Sequence, residues 1–293
     1  MPLNYGQAKK VSGRRVVSFV LASLLLLLAI AAMVAWIVIR FHQSEPTTPT
    51  ESTDDTSQYE DPLTAVDSSL IIFDMENGPR FVLVQTDPAG LSVNIASIPA
   101  NITDEKGNTL STILTKHGSL KVTQTLSAVL ELPIAHYITW SADGAQNFLN
   151  ELDGGILFNL PEPISYADEN GMTVRLSAGE QKLTGIQAAA VLRFTAWKDA
   201  SLTQAVSAQM VAAVLNQYLV PEQRLDGYFA ALADTAQTDL RIDNYNSFRR
   251  VLSHLSEHNI GGLCRIVTLP GENRDGRFAP NIAAMKEQSI LFP

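Results

Sequence analysis

Cysteine is almost missing from this chain. Cys264 is the only one in 293 residues, which excludes an intramolecular disulfide. It lies in the apolar run Leu263–Leu269 with no base or metal-ligand partner nearby in sequence, so it reads as a small buried hydrophobe rather than a reactive thiol. There is no Gly-rich phosphate loop and no Gly-x-Ser-x-Gly elbow, so the usual marks of nucleotide and serine-hydrolase chemistry are lacking. No internal repeat is found. Acidic residues are also absent ahead of Glu45, while Lys9, Lys10, Arg14, Arg15 and Arg40 hold five of the 21 basic residues. From residue 41 onward that leaves 16 basic residues against 30 acidic ones, a net charge of −14. So acidic a segment lacks the basic surface that nucleic-acid binding needs to replace phosphate counterions. A small basic pocket for one phosphate group stays open.

Against these absences stands one long hydrophobic run. Val16–Ile39 is 24 residues without a charge, and at 1.5 Å per residue it spans roughly 36 Å against an apolar bilayer core of ~30 Å. Trp36 suits the far interface. Basic residues precede the run and acids follow it, so the positive-inside rule places Met1–Arg15 in the cytoplasm and the remainder across the membrane. A cleaved signal peptide is the rival reading, but the run is too long for that and no small-residue cleavage site follows closely. The expectation is a single-pass membrane protein with a cytoplasmic tail over 1–15, a transmembrane helix over 16–39, a stalk over 40–62 and an extracytoplasmic domain over 63–293. The stalk, rich in Ser, Thr, Pro and acids, cannot bury enough surface to offset its ordering entropy. An exported domain without a disulfide fits a bacterial envelope better than a stapled secreted scaffold.

From Leu63 the pattern turns globular. Ser69–Phe73 and Arg80–Thr86, separated by Asn77-Gly78-Pro79, read as strand–turn–strand, and Leu91–Ile98 as a third strand. Further strands are expected at His136–Trp140, Ile156–Leu160 and Cys264–Leu269. Helices are expected at Leu120–Leu130, Ala142–Leu152, Thr184–Leu192, Ser201–Leu219, Tyr228–Ala236 and Asn244–His258, with Asn244 as cap of the last. Interleaved strands and helices give an α/β class, a mixed central sheet with helices on both faces.

Several segments, in order, resemble one family. Leu132–Pro161 (LPIAHYITWSADGAQNFLNELDGGILFNLP), Leu176–Phe194 (LSAGEQKLTGIQAAAVLRF), Ala96–Pro99 (ASIP) and Thr268–Glu272 (TLPGE) are similar to the LytR–CpsA–Psr (LCP) family, over about residues 66–293. The resemblance implies a membrane-anchored protein of the cell envelope, and an activity that moves a glycopolymer such as teichoic acid or capsule from a polyprenyl-pyrophosphate carrier to peptidoglycan. It also implies arginine forks on the pyrophosphate, a carboxylate-held Mg²⁺ and an apolar cavity for the lipid tail.

Carried over residue by residue, much of that machinery is missing. The family's Arg-Asp after Ser97-Ile98-Pro99 is Ala100-Asn101 here. Its Arg-Phe-Arg is Arg193-Phe194-Thr195, and its Asp-x-x-Arg-x-x-Arg-Gln-Gln aligns with Ser201–Gln209, without either arginine. The Asp-Thr that opens the second strand is replaced by Pro79-Arg80. Charge-assisted donors at a transferring phosphoryl group contribute about 10²–10³-fold in rate each. The expectation is therefore a divergent member that binds a polyprenyl-linked lipid or wall polymer with weak or no catalysis, or that partners active paralogues. The alternative is an active phosphotransferase with a rebuilt site, using Mg²⁺. A transcriptional regulator, the third reading, conflicts with the acidic exported domain.

The candidate ligand residues are Arg193 and Arg80 for phosphate and Asp74 for a metal. Arg193 could equally be kept to pair a carboxylate such as Asp153. Lys198 and Asp199 read as a solvated pair at a helix start. His254 and His258 share a helix face without the HExxH glutamate, which argues against a metal site. The triplet Asn101-Ile102-Thr103 carries no weight in a bacterial chain.

Overall fold

The computed structural model describes residues 62–168, 171–218, 225–258 and 263–291. The expected tail, transmembrane run and nearly all of the stalk lie outside the described residues, among which no helix is long and apolar enough to cross a membrane.

The domain is built on a six-stranded mixed sheet in the order β10-β3-β2-β1-β4-β9. Strands β1 (Asp67–Asp74), β2 (Arg80–Asp87) and β3 (Ser92–Ile98) form an antiparallel meander. β4 (His136–Ser141) lies parallel to β1, and β10 (Cys264–Val267) parallel to β3. The short β9 (Gln237–Thr238) closes the far edge antiparallel to β4.

Side chains alternate across the pleat, and both faces are covered. Leu70, Ile72, Phe81, Leu83, Ala96 and Ile98 point to one face, where they pack with Leu110, Val122, Leu126 and Leu130 of α1 (Leu110–Leu130) and with Met285 and Leu291 near the C-terminus. Ile71, Phe73, Val82, Val84, Val93 and Ile95 point to the other. That face is roofed by α2 (Ala142–Asn150), α3 (Gly185–Arg193), α4 (Leu202–Tyr218), α5 (Leu225–Thr235) and α6 (Ile242–His258). Leu70, Ile72, Phe81 and Leu83 are fully buried, each contributing roughly 1.5–3 kcal/mol.

Local chemistry sets several boundaries. Ser141 caps α2 by accepting from Gly144 N at 3.1 Å. Thr184 and Gln187 form a reciprocal capping box at α3. The helix expected over Leu120–Leu130 in fact starts at Leu110 and is kinked at Gly118, whose φ of 76° and ψ of −179° interrupt the ladder. The buried Ser119 beside the kink accepts from Thr139 Oγ1 on β4 at 2.8 Å, and its carbonyl accepts from Thr123 Oγ1 at 3.0 Å. Asn244 is not the cap of α6. The helix begins at Ile242, and the Asn244 side chain reaches back to accept from Arg241 N at 3.0 Å.

Several strands were not expected from periodicity, although the expected strand over Ile156–Leu160 is present with those bounds. β5 (Ile156–Leu160) pairs with β8 (Gly179–Leu183), and β6 (Ile164–Ala167) with β7 (Thr173–Leu176). β11 (Gly271–Arg274) pairs with β12 (Arg277–Pro280), ahead of the short α7 (Ile282–Glu287). The solvent-facing β11 alternates no apolar residues at all, so it carries no pattern to read.

Candidate functional site: an apolar cavity with an arginine end

A cavity of about 480 Å³ runs between the second sheet face and its roof of helices. Its floor follows from strand register. One row across β2, β1 and β4 is Arg80, Phe73 and Trp140; the next is Val82, Ile71 and Ile138; the next is Val84, Ser69 and His136; the last is Thr86 and Asp67. All of these but Arg80 and Val82 line the cavity. The walls are overwhelmingly apolar, with Phe148 and Leu149 from α2, Met210 and Val211 from α4, and Val251 and Leu252 from α6. At one end Phe73 stacks on Trp140 at 5.8 Å between centroids, and Trp140 meets Phe148 at 4.9 Å. Trp140 is fixed by its Nε1 donating to Thr235 Oγ1 at 3.1 Å.

Both arginines singled out in the sequence lie beside this end, next to the lining residues Phe73 and Leu192 but outside the lining themselves, tied together through Asn77. Arg80 is 3% exposed. Its Nη1 donates to the Gly78 carbonyl at 2.5 Å and its Nη2 to Asn77 Oδ1 at 3.1 Å, while its buried Nε has no acceptor. Both acceptors are neutral, and no carboxylate among the described residues pairs with it. Burial alone pulls its guanidinium below the ordinary arginine range. The same Asn77 donates through Nδ2 to the carbonyl of Arg193.

Arg193 ends α3, where a cation complements the helix dipole. Its Nη1 donates to Gln146 Oε1 at 3.0 Å and its Nη2 to Asp143 Oδ1 at 3.0 Å, and its Nε stands 3.9 Å from Glu76 Oε1. The carboxylates it meets are therefore Asp143 and Glu76; the expected partner Asp153 is not among them. Asp143 and Glu76 are themselves largely solvated, 91% and 60% exposed, so these pairs are easily exchanged for another anion.

Asp74 is the exposed last residue of β1, in register with the α2 cap Ser141. Among the described residues no group of three or more His, Cys, Asp or Glu is placed to hold a metal ion. With Asp143 hydrogen-bonded to Arg193 and Glu76 leaning on the same guanidinium, Asp74 is left as a single donor. This set does not fit an Mg²⁺ held by the protein, and no step below runs through one.

The other candidates stay structural. Asp199 accepts from Ser201 N at 2.9 Å, and hydrogen bonds from Ser201 hold its carboxyl below the usual range. Lys198 N donates to Glu162 Oε1 at 2.7 Å. Asn101, at the position of the family's aspartate, donates to Asn273 Oδ1 and to the Gly276 carbonyl of the β11–β12 hairpin. His258 Nδ1 lies 2.8 Å from the His254 carbonyl. Cys264, expected as a buried hydrophobe, is half-buried at the margin of the core, and that burial pushes its thiol up to about 12, as suits an inert group. Asn77, Asp143 and Gln146 were not singled out from sequence. Asn77 showed only as turn chemistry, and the other two as the polar face of a helix.

Residues 80–289 match the LytR_cpsA_psr family. The chain belongs to the LytR–CpsA–Psr family. It is thereby related to transferases of cell-wall glycopolymers. Solved structures of the same fold include a Eubacterium siraeum protein, with TM-score 0.67 at 16% identity over 83% of this chain and 97% of that one. B. subtilis TagV follows, with TM-score 0.63 at 17% identity over 78% of this chain and 96% of that one. A transcriptional regulator from Enterococcus faecalis has TM-score 0.59 at 18% identity, over 75% of this chain and 82% of that one. At such identities the likeness is one of fold. No curated protein sequence matches the chain.

Proposed function

We propose that this LCP domain, held outside a bacterial cytoplasmic membrane by the run Val16–Ile39, binds a polyprenyl-(pyro)phosphate or wall-glycopolymer ligand with weak or no transfer chemistry. The observation that carries the reading is Arg80. A buried guanidinium with neutral acceptors only is a costly arrangement unless an anion completes it. It lies outside the lining of the apolar cavity but in cross-strand register with Phe73, which lines it, and that placement suits a ligand with a phosphate head and a hydrocarbon body. Arg193 would supply the second cation by releasing Asp143. Two arginines without a metal-binding carboxylate set can hold a charged group, but they provide few of the donors that transfer needs at the charge developing on the phosphoryl group.

An active transferase with a rebuilt site is the second reading, favoured by the clustering of Arg80 with Arg193. The two are separated by presenting the full chain in lipid nanodiscs with a polyprenyl pyrophosphate and Mg²⁺. Binding without phosphate release supports the first reading. Turnover abolished by Arg80→Ala or Arg193→Ala would establish the second. Protease digestion of intact spheroplasts tests the placement: the domain should be cut from outside, while an epitope ahead of Val16 is protected. Binding to active paralogues would appear as their co-purification from the native membrane.

A further inference from the structure

The end of the cavity opposite the arginines is built quite differently. The sheet face that starts with Arg80, Phe73 and Trp140 finishes with Ser69, His136, Thr86 and Asp67, all six steps or fewer away along β1. At about 3.3 Å per residue the two ends are roughly 20 Å apart. From the roof, the half-buried Asn244 and the exposed Ser247 of α6 also line the cavity. The polar groups of an otherwise apolar lining are thus two hydroxyls from the sheet, one from the roof, an amide, an imidazole and a carboxylate.

Thr86 Oγ1 donates to the Asp67 carbonyl at 3.4 Å and Asn244 Oδ1 accepts from Arg241 N at 3.0 Å, which leaves the imidazole and the carboxylate to consider. The Nδ1 of His136 is buried and without a hydrogen-bond partner, 3.7 Å from Asp239 Oδ1, which already accepts from Tyr137 N at 2.9 Å. Asp67 accepts from Ser68 N at 2.8 Å through Oδ1. Burial raises its carboxyl above the ordinary range, and His136 opposes that rise. A hydrocarbon laid on this end would desolvate the imidazole and the carboxylate with nothing in return, at about 1–3 kcal/mol per group.

We propose that this far end is a second polar subsite, receiving a hydroxyl group carried on an apolar chain long enough to span the roughly 20 Å between the ends, with Asp67 as acceptor and His136, Asn244 and Ser247 around it. For the anionic end the inference rests on the function proposed above. It narrows the ligand class from any long isoprenoid phosphate to one whose enclosed segment ends in, or carries, a hydrogen-bonding group.

The test uses the full chain in nanodiscs and two competing pairs, read by native mass spectrometry as the occupancy ratio within each pair. The first pair is hexadecyl phosphate against 16-hydroxyhexadecyl phosphate; the second is hexadecan-1-ol against hexadecane-1,16-diol. Wild type and variants see the same discs, so partition into lipid cancels when their ratios are compared. Wild type should favour the ω-hydroxyl compound by about tenfold relative to Asp67→Leu, the effect of one net hydrogen bond. His136→Leu and Ser247→Ala, far apart in the sequence, should erode the same ratio, and Asp67→Asn should retain part of it. Equal ratios in wild type and all these variants, with phosphate binding still dependent on Arg80, overturn this inference and leave the anion site standing. Preference for the diol with no phosphate binding overturns the anion site and leaves this inference standing. Failure of every compound to bind overturns both.

Discussion

Replacing Arg80 by Met tests the buried cation directly. In the wild type the guanidinium is 3% exposed and donates to the Gly78 carbonyl and Asn77 Oδ1, with Nε unpaired. Removing it forfeits two hydrogen bonds from a charged donor, about 1.5–3 kcal/mol each. It also removes an effective desolvation penalty of several kcal/mol for the unpaired ion. The acceptors left behind belong to the surface turn Asn77–Gly78, where water can replace the lost donors. These terms nearly cancel, and Met fills most of the volume. The ligand-free domain should therefore be between unchanged and about 2 kcal/mol more stable, a Tm shift of 0 to about 5 °C upward. Affinity for an alkyl or prenyl phosphate should fall about 100-fold, the loss of roughly 2.7 kcal/mol of charge-assisted binding. Thermal melts and titrations on the same preparation give both numbers. A variant destabilised by more than about 3 kcal/mol, as expected on breaking a satisfied buried network, would refute the reasoning. So would unchanged phosphate affinity.

Asp67→Asn should be more stable than wild type near neutral pH, with the gap closing on acidification. Folding raises the Asp67 pKa, so the penalty applies where the carboxylate is ionised and vanishes once it is protonated in both states; melts across pH showing a gap that widens in acid contradict this. Gly118→Ala should cost about 1–3 kcal/mol, because φ of 76° with ψ near 180° is open essentially to Gly alone. Gly227→Ala in α5 meets open space and has no such φ, and should gain up to about 1 kcal/mol. With its thiol pushed up to about 12, Cys264 should resist alkylation by iodoacetamide at mildly alkaline pH until the domain is unfolded, as peptide mass analysis will report.

The strands β1, β2, β3 and β4 and the long helices were legible because burial on one or both faces writes a period into the sequence. The first half of α1 was not, since Gly118 and the polar run Lys116–His117 break the apolar spacing. β6 and the β11–β12 hairpin bury too little on one side to leave a period, and β7 alternates over only four residues, too few to read. At the site, Arg80 and Arg193 stood out as charges left over from a family pattern, and the fold brings them beside one end of the cavity. The opposite end was hidden. Asp67 and Ser69 alternate with buried residues as any solvent-facing pair does, and only the helices packed over them turn that face inward. Their meaning depends on residues such as Asn244 and Ser247, far along the chain.

The last residues of the chain have a consequence for how it is made. Gln85, in the middle of the opening meander, donates to the carbonyl of Leu291, 206 positions later, and Met285 and Leu291 fill the face that α1 leaves open. β10 likewise cannot pair with β3 until residue 264 has been synthesised. The meander is therefore made well before its own cover and stays sticky throughout, so its safe folding depends on helpers or on rapid completion. A chain cut short ahead of Met285 would expose Gln85 and the apolar floor around it, a ready mark for a protease to recognise an unfinished product.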